Sequence, residues 1–88
     1  MISIIDFEQL SFTDKLQFIK KHGQYLASRT EARFTVSLFR VNSFFTDVWY
    51  DQENLEHVVI HQFTETVYLT PYLNLLTIED IIQKQLMQ

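Results

Sequence analysis

His57-Val-Val-Ile-His61 is the pair of chemistry-bearing side chains whose spacing first invites a reading. On a helix, two histidines four residues apart share a face and can hold one zinc ion, and the protease pattern H-E-x-x-H adds a glutamate as base. Here that glutamate is missing, and the β-branched run between the histidines reads as a strand. Residues four apart on a strand stand about 13 Å apart at ~3.3 Å per residue, too far to share an ion held at ~2.0–2.1 Å from each nitrogen. The expectation is two histidines on one partly wet strand face, with no metal and no cofactor.

Asp47, Asp51, Glu53 and Glu56 gather around a second stretch that could hold an acid/base pair or calcium. A calcium loop of the EF-hand type needs a central glycine and oxygen ligands at alternating positions. This stretch has no glycine, and Val48 and Trp49 interrupt the acids, so solvated loop charges or a guarded sheet edge are expected. Ser28, Ser37 and Ser43 lie in no glycine-flanked elbow and have no base beside them in sequence. One glycine in the whole chain also excludes glycine-rich phosphate loops. No cysteine is present for a thiolate site or a disulfide framework. No set of acid, base and nucleophile can be assembled, and the chain is read as a non-enzyme.

The charges are divided unevenly. Residues 1 to 44 carry six Lys and Arg against four acids, and residues 45 to 88 carry seven acids against Lys84 alone, giving +2 and -6 within a net charge of -4. Nucleic acid, which needs clustered cations, is not an expected partner. No stretch approaches the ~20 apolar residues of a membrane span, and Met1 to Asp6 lacks the basic flank of a signal peptide, so a cytoplasmic location is expected.

The elements that must position these residues follow from periodicity. The 88 residues are read as a single domain, 1–88, whose 47% apolar content suits a folded chain. Ser11-Phe-Thr-Asp14 is a capping box, Phe12, Leu16 and Ile19 form a stripe, and Lys20-Lys21-His22-Gly23 closes a helix over about 11–22, with an earlier start at Asp6 as an alternative. Gln24 to Arg29 can form a short strand before a turn at 30–32, and Arg33 to Leu38 alternates as a strand. Phe44 to Asp51 and Leu55 to Phe63 complete an antiparallel meander of three or four strands. Thr70-Pro71 reads as a cap and first helical position, and Thr77 to Leu86 as a C-terminal helix. The predicted class is α+β, with an N-terminal helix, the meander and a C-terminal helix, the helices on one sheet face.

Alternation fails in Leu38-Phe-Arg-Val-Asn-Ser-Phe-Phe-Thr-Asp-Val-Trp-Tyr-Asp51, where both faces carry apolar bulk. A two-residue turn at Asn42-Ser43 sets Leu38 opposite Asp47 and mixes charge into the face marked as core. A three-residue loop, 42–44, pairs Leu38 with Val48 and keeps that face apolar, and is preferred on that ground. It gathers Phe39, Val41, Phe45 and Trp49 on the opposite face. Either residues 67–76 or a second chain can cover them. Burying three aromatics contributes at most about 5–9 kcal/mol, against an association cost of roughly 4–15 kcal/mol, so a stable dimer needs further area.

The expected function is a small, non-catalytic protein–protein interaction module that forms a homodimer through Phe39, Val41, Phe45 and Trp49. Two alternatives stand beside it. One is a small-ligand-binding domain with an aromatic pocket near Trp49, in which Tyr50, Tyr68 or Tyr72 give polar handles and Asp47 or Asp51 fixes orientation. The other is an acidic inhibitor or immunity-type binder of a basic protein.

Overall fold

The computed structural model describes residues 2–76. Two helices open the chain. In α1 (Ile4–Glu8) the Ser3 hydroxyl accepts from the Asp6 amide at 3.1 Å, and in α2 (Phe12–His22) Ser11 does the same for Asp14 at 3.1 Å. Each serine satisfies an amide that the first turn leaves without a helical partner. Gly23 ends α2 in extended backbone, φ -76° and ψ 146°, so it is not a left-handed cap. Its requirement is space: a Cβ there would stand 2.6 Å from the Ile19 carbonyl oxygen.

Four antiparallel strands follow in sequential order: β1 (Gln24–Glu31), β2 (Phe34–Val41), β3 (Phe44–Asp51) and β4 (Glu56–Phe63). The predicted meander is present with four strands. β1 runs two residues further than expected, the turn falls at Ala32-Arg33, and β2 continues through Phe39 to Val41. A 3-10 helix, Thr66–Tyr72, closes the described chain. It begins four residues before the predicted Thr70 cap and carries Pro71 inside it. The predicted C-terminal helix over 77–86 lies outside the described residues.

The hairpin register corrects the preferred reading. Val41 pairs with Phe44, so Asn42-Ser43 is a two-residue turn, and Leu38 faces Asp47, Val36 faces Trp49 and Arg40 faces Phe45. Asn42 takes φ 55°, a left-handed conformation that asparagine tolerates better than most residues, which makes the tight turn accessible.

This register sorts the sheet into two faces with separate cores. Phe39, Val41, Phe44 and Val48 face α1 and α2, where Phe7 and Ile19 are fully or nearly fully buried. Val36, Leu38, Phe45 and Phe63 face the 3-10 segment, which lays Leu69 and Tyr72 over them. β3 lies inside the sheet with both faces covered, so its first five residues are all buried. That burial is why alternation fails in the sequence.

Candidate functional site

The site is built on the face of the sheet that the 3-10 segment covers. Between that segment and the β3–β4 half of the sheet lies an open cleft of about 750 Å³. Trp49 and Asp47 of β3, with Arg29 of β1, line one side. Val59 and His61 of β4 form another, and Val67, Tyr68 and Pro71 stand across from them. A second hollow, between α2 and the sheet beside Tyr50 and His57, measures about 90 Å³.

Asp47 is the unusual member. It sits in mid-strand, 5% exposed, directly opposite Leu38 and His61. Trp49 Nε1 donates to Oδ1 at 3.4 Å, Tyr72 Oη donates to Oδ2 at 3.4 Å, and His61 Nδ1 stands 3.5 Å from Oδ1. All three distances exceed those of well-formed hydrogen bonds, ~2.7–3.2 Å for N–H donors and ~2.5–3.0 Å for O–H donors. Burial pushes the Asp47 carboxyl above its ordinary value, against the opposing pull of His61, Trp49, Arg29 and Tyr72. Burial, then the nearby Asp47 carboxyl, pushes the Tyr72 phenol up to about 12, so Tyr72 stays a neutral donor.

Aromatic contacts fix the rest. The His61 ring stacks on Phe63 at 5.2 Å and meets Tyr68 edge-on at 4.9 Å. The Arg29 guanidinium lies over Trp49 at 5.5 Å and over Tyr72 at 5.0 Å, and it pairs with Glu31. Its Nε is buried and has no hydrogen-bond partner among the described residues.

Asp51, on the same face of β3, is a structural carboxylate. Its oxygens accept from the Glu53 amide at 2.9 Å and from the Asn54 amide at 3.2 Å, and Arg33 lies at 3.1 Å. Glu53 and Glu56 are exposed at the β3–β4 loop, Glu53 paired with Arg33 at 2.9 Å. The two histidines do not share a face. A register shift between Trp49 and Tyr50 puts His57 opposite Tyr50, while His61 stays opposite Asp47. His57 therefore faces α2, where burial and then Lys20 lower its pKa.

Phe39, Val41, Phe45 and Trp49 do not form one patch. Phe39 and Val41 lie on the face covered by the helices, Phe45 and Trp49 on the face covered by the 3-10 segment. Val41 and Phe45 are each 1% exposed within the single chain. Asp47, expected among solvated loop charges, is buried, and its visible signal is the two-residue turn that places it against Leu38; the His61 side chain is 42% exposed, as a partly wet position should be.

No protein-family model matches the chain, and no curated protein or solved structure is significantly similar to it. Among the described residues no helix is long and apolar enough to cross a membrane.

Proposed function

We propose that this chain is a non-catalytic, small-ligand-binding domain whose site is the Trp49 cleft. One observation carries the reading: a concavity of about 750 Å³ beside Trp49, walled by aromatic and aliphatic side chains with a few polar groups converging on it. That volume falls within the ~300–1,000 Å³ typical of ligand sites, and the composition is theirs too. Trp49 is the only tryptophan in the chain, so its emission reports the cleft without interference. Titration with soluble phenyl-bearing compounds should shift that emission and the amide resonances of β4 and the 3-10 segment. If neither responds to any of them, the cleft is not a ligand site.

Self-association is a second reading, supported by a separate observation. Val59, Val67 and Tyr68 at the rim of the cleft are 47%, 67% and 46% exposed, and β4 is an edge strand with a further exposed valine, Val58. Apolar rims and unguarded edges suit a second chain. Light scattering across a wide concentration range separates the readings: a homodimer grows with concentration, and Val58→Lys, on the edge strand but outside the cleft lining, abolishes it while the cleft keeps its walls. The acidic binder of a basic protein keeps only the charge of residues 45–88 in its support.

A further inference from the structure

We infer that the ligand class of the cleft is an arylalkylamine in its ammonium form, with the ammonium at Asp47 and the ring against Trp49, Val67 and Tyr68. The inference rests on the ligand-binding reading above. Asp47 has acceptor capacity beyond the long contacts it makes. Its side chain is 7% exposed, it lines the cleft, and its contacts to Trp49, Tyr72 and His61 are all 3.4–3.5 Å. Among the described residues no Lys or Arg nitrogen lies within ion-pair distance of it. A carboxylate carries about four acceptor positions, and a charge-assisted bond to one is roughly twice as strong as a neutral bond.

The competing anchor is Arg29, whose unpartnered Nε could meet an acid. Its charge is already engaged by Glu31 and by the faces of Trp49 and Tyr72. A ring on the ammonium uses the apolar remainder of the cleft, where Trp49 and Tyr68 offer stacking surfaces.

The test compares phenethylamine, 2-phenylethanol, phenylacetate and butylamine on the full chain, read by Trp49 emission and by amide shifts. The amine should bind about tenfold or more tightly than the alcohol, and Asp47→Asn should remove that preference while the alcohol still binds. Acidification of the wild-type protein provides a second measure, independent of whether the variant folds. Protonation of Asp47 should weaken the amine and leave the alcohol unchanged. Equal affinity for amine and alcohol, or amine affinity indifferent to acid, overturns the ammonium assignment and leaves the cleft reading standing. Tightest binding by phenylacetate overturns it in favour of Arg29, and equal binding by butylamine removes the aromatic body from the class. Silence from all four compounds defeats both readings.

Discussion

Asp47 and Asp51 stand four residues apart on one face of β3, and their carboxyls are driven in opposite directions. For Asp47, burial raises the pKa despite His61, Trp49, Arg29 and Tyr72. A carboxyl whose folded pKa lies above its unfolded value stabilises the fold only in its protonated form. That contribution is complete below the unfolded pKa and is lost as pH rises through the folded one. At neutral pH the ionised Asp47 is therefore a cost, and Asp47→Asn should raise the Tm there, with the gain shrinking on acidification. Thermal melts of the two proteins across acid to neutral pH check this; no gain at neutral pH would mean that the three long contacts outweigh burial. For Asp51, burial also pulls upward, but the amides of Asn54 and Glu53 and the Arg33 guanidinium outweigh it and the net shift is down. Its contribution is present above the unfolded pKa and disappears as pH falls through the folded value. Asp51→Asn should therefore lower the Tm at neutral pH and flatten the acid limb of the same melts. At neutral pH one carboxylate supports the fold and the other opposes it, the pattern that the proposed site at Asp47 would produce by holding a polar group at a cost in stability.

At the scale of elements, most boundaries were legible because they are local. Ser11 with Asp14 specifies the start of α2, and β3 occupies the predicted 44–51 because Gly, Pro and long polar runs are absent from it. Register was not legible, for a particular reason. Keeping charge off the apolar face argues against the tight turn at Asn42-Ser43, yet that turn forms and buries Asp47 against Leu38, at the wall of the candidate cleft. The 3-10 segment starts before the expected Thr70 cap, and its seven residues show neither a 3.6-residue nor a two-residue period that would mark them in sequence. The turns carry a prediction of their own. Leu55 ends the β3–β4 loop at φ 59°, its amide bonded to the Asp51 carbonyl at 2.8 Å, and it is 71% exposed. A left-handed residue with a Cβ costs about 1–2 kcal/mol, and glycine returns roughly 0.5–1 kcal/mol of that through chain entropy. Leu55→Gly should therefore stabilise the protein by roughly 0.5–1 kcal/mol in urea unfolding. An unchanged or lower midpoint would show that Leu55 packs on the hairpin in a way its exposure hides.

At the scale of the molecule, two thin covers share one sheet. A chain of this size buries only about 60–65% of its unfolded surface, so neither core is large, and β3 belongs to both through Phe44 and Val48 on one face and Phe45 and Trp49 on the other. Shared membership couples them: loosening the 3-10 layer exposes the strand that the helices also need. Leu69 and Phe7 are the tests, at 2% and 0% exposure in opposite layers. Leu69→Ala should cost about 2–5 kcal/mol and Phe7→Ala about 3–5 kcal/mol. Each loss corresponds to a fall in Tm of roughly 4–8 °C per kcal/mol for a domain of this length. The two variants should unfold in single transitions, with fluorescence from Trp49 and circular dichroism from α2 coinciding in both. If Leu69→Ala instead separates them, with Trp49 reporting early and α2 late, the 3-10 layer opens independently of the helical one. The cleft would then be gated by the stability of its own wall, and ligand affinity would rise or fall with substitutions at Leu69 that never touch the ligand.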